Sequence, residues 1–179
     1  MRPPSKYRTG IRYGIIIGVI YAILLFLRYK FFSTTPLSFG IFMFASYLTV
    51  LILYLFAGIA RKKELVGYAD FKDIFRTIFI AILITEAVYI IFNSIYLKYV
   101  DPSFFDNFKL VTRDYLEKHG ATQNQVDQQM KNFDEAHKQM SPLELMKGFA
   151  SWIVIDSIIG MIYAAILRKK KDIFQENKL

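Results

Sequence analysis

Leu37–Ala60, LSFGIFMFASYLTVLILYLFAGIA, runs for 24 residues without one charged side chain. As a helix rising about 1.5 Å per residue, it is long enough to cross the roughly 30 Å hydrocarbon core of a bilayer. Three further apolar runs flank it in sequence, at about 13–32, 74–97 and 148–167. The first of these ends with Arg28 and Lys30 close to its outer edge, and those two side chains are expected to snorkel towards the headgroups. A small-x-small cleavage site would be needed where Arg28-Tyr29-Lys30 stands, so this run reads as a retained helix rather than a signal peptide.

Composition agrees with lipid as the surrounding solvent. Hydrophobic residues make up 54% of the 179-residue chain, against about 45–50% in soluble domains. They are gathered into long runs rather than spread at a helical or strand period. The chain has no Cys, which excludes disulfides, zinc–thiolate sites and thiol catalysis.

The net charge of +8 is unevenly placed. Arg2, Lys6, Arg8 and Arg12 precede the first run, Arg61, Lys62, Lys63, Lys72 and Arg76 separate the second and third, and Arg168–Lys171 with Lys178 follow the fourth. In a four-helix topology these segments share one side and carry 14 of the 23 Lys and Arg. The positive-inside rule then places both termini in the cytoplasm. The basic charge is expected to meet anionic lipid headgroups, and no soluble module suited to nucleic acid is visible.

Between the third and fourth runs, 98–147 reads as an extracytoplasmic amphipathic helical insert. Asp101-Pro102 resembles a helix start with Pro at the first helical position, and Phe105, Phe108, Val111 and Tyr115 recur at helical spacing. Gly120 can supply a left-handed cap, and Thr122 with Gln125 fits a capping box. Val126, Met130, Phe133 and Met140 form a second apolar stripe before another helix start at Ser141-Pro142. On the opposite side, Asp70 and Asp73 suit the N-terminus of the third helix, with Phe71 and Phe75 at headgroup depth. The expected architecture is thus an all-α membrane protein, a single domain over 1–179 with four transmembrane helices and a helical hairpin between helices 3 and 4.

Two acids interrupt otherwise apolar runs. Glu86 lies near the middle of the third and Asp156 near the middle of the fourth. An ionised carboxylate at bilayer centre costs about 2.5–3.5 kcal/mol even on lenient scales, so such residues face the bundle interior. Antiparallel helices bring the two to one depth, with no intramembrane Lys or Arg foreseen beside them. Thr85, Tyr89 and Asn93 share the Glu86 face, so Glu86, Asp156, Asn93 and Tyr89 form a candidate intramembrane polar site. Its readings are interhelical hydrogen bonding, contact with a partner, or proton or cation coupling.

Small residues mark candidate packing faces. Gly14 and Gly18, preceded by Gly10, form a four-residue ladder on the first helix, while Gly160 and Ala164 continue the line of Trp152 and Asp156 on the fourth. Such ladders serve contact within the chain or contact with a second one. His119 and His137 share no metal-ligand motif, and there is no Gly-x-Ser-x-Gly turn or Walker loop. No catalytic residue, metal site or cofactor is therefore assigned.

The order of four helices, Gly67-Tyr68 followed by Phe71-Lys72 and Ile74-Phe75, Asp101-Pro102 with Phe105, Pro142, and Arg168–Lys171 together resemble the bacterial membrane proteins grouped as domain of unknown function 4199. The resemblance covers roughly Arg8 to Lys171 and implies no activity or catalytic residue. It implies one conceivable partner, a membrane glycosyltransferase acting on lipid-linked sugars. The expected function is a non-enzymatic accessory subunit or scaffold of a membrane complex, working with a membrane protein partner or as a homo-oligomer. The alternatives are a small proton- or cation-coupled carrier using Glu86 and Asp156, or an accessory to that glycosyltransferase.

Overall fold

The computed structural model describes residues 7–138 and 142–169, with side chains left aside over 136–146. The fold is helical: α1 (Arg8–Phe31), α2 (Pro36–Glu64), α3 (Phe71–Ile95) prolonged by a π-helical turn (Tyr96–Val100), α4 (Phe104–Lys118), α5 (Gln123–Lys138) and α6 (Pro142–Leu167). Four segments, Arg8–Phe31, Pro36–Glu64, Phe71–Val100 and Lys147–Leu167, are long and apolar enough to cross a membrane. This is a multi-pass membrane protein.

Several boundaries differ from the sequence reading. Helix α1 begins at Arg8 rather than near 13, and α2 continues to Glu64, so basic residues form the ends of helices rather than the loops between them. The last membrane helix starts at Pro142, leaving no break between it and the end of the insert. Pro102 sits in the turn before α4 instead of at its first position. Met140 and Ser141 lie outside the described residues, as do 170–179.

Helix α3 is the hub, packed against α1, α2 and α6. Small residues on its neighbours make this closeness physically available. A Cβ on Gly10 would come within 2.8 Å of the Thr77 carbonyl oxygen, one on Gly14 within 2.8 Å of Ile84, and one on Gly18 within 2.9 Å of Val88. The α1 ladder is therefore filled by α3 of the same chain. On the other flank, a Cβ on Gly160 of α6 would approach Ile78 to 3.1 Å, and one on Gly58 of α2 would meet Leu167 at 2.8 Å. Ala164 is fully buried in this seam.

Polar caps explain where the helices stop. At the α1–α2 connection, the Ser38 backbone N–H donates to Thr35 Oγ1 at 3.1 Å, the reciprocal bond runs from Thr35 N–H to Ser38 Oγ, and Pro36 takes the first helical position. Helix α2 ends in a Schellman-type closure, in which Gly67 N–H donates to Lys62 O and Val66 N–H to Lys63 O. Val66 occupies the left-handed position there, at φ 57°, although it is β-branched and 85% exposed. Ala69 and Lys169 then exchange backbone hydrogen bonds of 3.0 Å, tying the α2–α3 loop to the end of α6.

At the opposite end, α4 packs on the bundle through Phe104 and Phe108 against Tyr29 and Phe39, with Thr112 also buried. Its buried line is thus rotated from the stripe read in the sequence. Gly120, at φ 78°, closes α4, and Thr122 N–H donates to Gln125 Oε1 at 2.9 Å as α5 begins. Helix α5 folds back on α4 through Phe108 against Phe133 and a Lys109–Asp134 ion pair.

Two outcomes follow for thermal unfolding in detergent. Gly14→Ala destabilises by about 1–3 kcal/mol, because Ile84 must be displaced, whereas Gly40→Ala, with nothing within 4 Å of its added Cβ, is neutral or stabilising. Equal effects would show that α1 and α3 are not in close contact. Val66→Gly raises the unfolding temperature by relieving about 1 kcal/mol of left-handed strain, and a lower temperature would contradict the closure described.

Candidate functional site: a polar seam inside the bundle

The bundle is apolar outside and polar within. Ile15, Val19 and Ile23 of α1, Ile41, Phe44 and Ile52 of α2, and Val154, Ile158 and Ile162 of α6 are exposed. Thr77, Thr85, Glu86, Asn93 and Asp156 are buried. A water-soluble helix bundle has the reverse arrangement. Interior position is what makes the polar groups tolerable in hydrocarbon, since each finds protein rather than acyl chains.

Three levels of polar contact follow one another along the interior. At the end holding the α1 N-terminus and the α6 C-terminus, buried Arg61 pairs with Glu64 at 3.1 Å, and Thr9 donates its hydroxyl proton to the same carboxylate. This ties α1 to the last turn of α2.

The middle level holds the two acids. Asp156 is 1% exposed, and its Oδ1 accepts a 2.6 Å hydrogen bond from the Tyr47 hydroxyl of α2. Its Oδ2 is buried with no hydrogen-bond partner among the described residues. Glu86, 6% exposed, lies within electrostatic reach of Asp156. The Tyr54 hydroxyl of α2 is buried without a well-formed hydrogen bond. Tyr21 of α1 stacks on Tyr89 of α3 with ring centroids 5.5 Å apart. Trp152, one turn before Asp156, is half-exposed and packs its ring 5.7 Å from that of Tyr47.

Asn93 belongs to the third level. Its Oδ1 accepts from the Tyr29 hydroxyl, and its Nδ2 donates to the Tyr89 carbonyl at 2.8 Å. So the structure buries both acids, bonds Asp156 to Tyr47, stacks Tyr89 on Tyr21, and commits Asn93 to Tyr29 and the Tyr89 carbonyl.

Arg28 corrects the sequence reading. Rather than snorkelling outward, it is 5% exposed and points inward, with its guanidinium carbon 5.0 Å from the ring centroids of Tyr29 and Phe39. Its Nη2 lies 3.3 Å from the Tyr29 hydroxyl, and no carboxylate pairs with it among the described residues. Aromatic faces take over the role of an anion here, and Phe104 and Phe108 of α4 extend the same aromatic layer over Phe39. The interior therefore contains a cation, but at the level of Asn93 and Tyr29 rather than between the acids.

Tyr21, Tyr47 and Tyr54 carry the middle level, yet the sequence reading did not single them out. The signal was available: Tyr47 and Tyr54 are seven residues apart on a charge-free helix, and Tyr21 and Arg28 repeat that spacing on α1.

The family described as "Protein of unknown function (DUF4199)" matches residues 12–169, nearly the whole chain. The chain belongs to the DUF4199 family. No curated protein and no solved structure matches it. The match spans most of α1 and the whole of the other three membrane helices of this DUF4199 protein together with the α4–α5 pair, so all three polar levels except Thr9 lie within the family region.

Removing the Tyr47 hydroxyl tests the middle level of the DUF4199 bundle. Tyr47→Phe leaves Asp156 Oδ1 without its donor and costs roughly 1–2 kcal/mol in detergent unfolding. Tyr54→Phe, which removes no well-formed bond, leaves stability unchanged. Equal losses in the two variants would contradict the hydrogen-bond assignment.

Proposed function

We propose that this protein is a non-enzymatic accessory subunit or scaffold of a membrane complex, lying in the bacterial inner membrane with both termini cytoplasmic and the α4–α5 pair on the other side. The supporting observation is the attachment of α5. Its packing is against α4, and α4 in turn reaches α2 and the aromatic layer over Phe39. Val126 is buried between the paired helices, while Asn124, Asp127, Gln128, Lys131, Asn132 and Glu135 all face outward. A helix carried in this manner adds little to the stability of the membrane bundle. What it adds is a water-facing, hydrogen-bonding surface at a fixed height above the bundle.

That surface includes a notch of about 560 Å³ lined by residues such as Leu116, His119, Gln125, Gln128 and Asn132. Amide side chains on a rigid helix suit a polypeptide partner, because they can donate and accept at once. Charge asymmetry supports the sidedness. Arg8, Arg12, Arg61, Lys62, Lys63, Lys72, Arg76, Arg168 and Lys169 gather at the end away from α4 and α5, where anionic cytoplasmic headgroups attract them.

The absence of Cys makes single-cysteine labelling direct. In intact cells an impermeant maleimide reacts with Gln128→Cys, and with Lys63→Cys only after permeabilisation; the reverse pattern overturns the sidedness. A photo-crosslinker at Gln128 or Asn132 captures a second membrane protein in stoichiometric yield, while one at lipid-facing Ile23 does not. Recovery of the uncrosslinked monomer from both surface positions, together with purification of the protein alone in mild detergent, sinks the subunit reading.

A further inference from the structure

Two arginines are buried in the bundle, one at each end, and they are provided for differently. Arg61, 3% exposed in the last turn of α2, has the Glu64 carboxylate 3.1 Å away. Arg28, 5% exposed in the last turn of α1, has no carboxylate within ion-pairing distance among the described residues. One N–H of its guanidinium makes a long hydrogen bond, 3.3 Å, to the Tyr29 hydroxyl. That hydroxyl donates its own proton to Asn93 Oδ1. Arg28 Nε is buried without a hydrogen-bond partner among the described residues.

What surrounds this charge attracts it but does not neutralise it. The rings of Tyr29 and Phe39 have their centroids 5.0 Å from the guanidinium carbon, and a ring face carries no net negative charge. The negative end of the α1 dipole adjoins the positive end of α2 across a short turn, so the two largely offset each other. Phe104 of α4 packs 4.7 Å from the Tyr29 ring and Phe108 4.6 Å from the Phe39 ring, which roofs the site with more hydrocarbon. Buried charges in proteins are paired and buried donors are hydrogen-bonded. A guanidinium with a free Nε–H and no carboxylate marks a place for an anion from outside the chain.

The setting identifies that anion. Arg28 lies three residues from the end of α1, at the level where a membrane-crossing helix meets the headgroups. Phe31 and Leu37, on either side of the α1–α2 turn, are exposed, and from Leu37 exposed Ile41 and Phe44 descend α2 at helical spacing. A ligand here has its charged group at Arg28 and hydrocarbon alongside. The guanidinium fork matches phosphate oxygens in bidentate geometry. One net negative charge balances the single unpaired cation.

We propose that Arg28 anchors a binding site for the phosphate group of one anionic phospholipid, in the leaflet at the α4 end of the bundle, with acyl chains lying along α1 and α2. Nε–H is one of the donors to the phosphate. Tyr29 and Phe39 are positioning residues that hold the guanidinium in place. The site is separate from the amide-lined surface of α5 and needs no protein partner.

The full chain, purified in a phosphate-free maltoside detergent, tests this. Phosphatidylglycerol, phosphatidylethanolamine, an uncharged galactosyl diacylglycerol and sodium phosphate are added in turn. Phosphatidylglycerol raises the unfolding temperature by roughly 5–10 °C at a hundredfold excess over Kd, and the galactolipid does not. Phosphatidylethanolamine, which brings its own cation, acts more weakly. Arg28→Met binds phosphatidylglycerol about 10- to 100-fold more weakly. Without lipid it unfolds no earlier than wild type, because an apolar chain replaces an unpaired buried charge. A Lys62→Ala/Lys63→Ala variant, altered at the other end, keeps the tight binding. Should Arg28→Met fail to fold, phosphatidylglycerol with a photoreactive headgroup maps the site on wild type. Crosslinks within 28–39 or 104–108 uphold it, and crosslinks confined to the basic end overturn it. Equal stabilisation by sodium phosphate, lost in Arg28→Met, upholds the phosphate site and overturns the lipid as its source. The site itself is overturned if Arg28→Met responds to phosphatidylglycerol as wild type does, or loses the same stability with and without lipid.

Discussion

Hydrocarbon on the outside is the constraint from which the rest of this structure follows. It removes the usual reward for burying apolar side chains, since Ile23 or Phe44 is equally at home against an acyl chain. Cohesion must then come from close backbone approach and from polar groups that lipid cannot satisfy. Both are present in separate places. Close approach is concentrated where Gly10, Gly14 and Gly18 meet α3 and where Gly58, Gly160 and Ala164 close the other flank. Polar contact is arranged in the three levels that run from Glu64 and Arg61, through Asp156 and Tyr47, to Asn93 and Tyr29.

Helix α3 reconciles these demands. Its bulky side chains Ile78, Ile82, Ile84 and Val88 fill the space that glycines leave on either neighbour. Thr77, Thr85, Glu86 and Asn93 interrupt that apolar surface and give the interior its polar points. Because α3 touches the other three membrane helices, a shift of α3 alone would disturb both kinds of contact at once.

Much of this was legible in the residues. Charge-free length announces a membrane helix, because a run such as Leu37–Ala60 has no other low-energy setting, and the Gly67-Tyr68 and Phe71-Lys72 region pointed to the family that matches 12–169. Helix ends were less legible: Arg8, Arg61 and Lys62 look like loop residues, yet backbone hydrogen bonds carry the helices through them. Arg28 was misread for a different reason. Its sequence neighbourhood favours snorkelling, and the face it takes depends on Phe39, an aromatic ring brought by another helix. Tyr47 and Tyr54 were overlooked because tyrosine in a membrane helix signals an interface as readily as an interior. Their interior role depends on helix rotation, which the third dimension alone specifies.

The bridge between Ala69 and Lys169 has a consequence for biogenesis. The two bridged residues are 100 positions apart in the chain. At ribosomal speeds of about 5–20 residues per second, Lys169 is made on the order of 5–20 s after Ala69. During that interval Glu86 and the groove around Gly58 have no α6 to cover them, and the nascent three-helix intermediate presents a carboxyl group towards lipid. Only the final helix covers that half-built interior, and the bridge fastens its end to the loop where the third helix began.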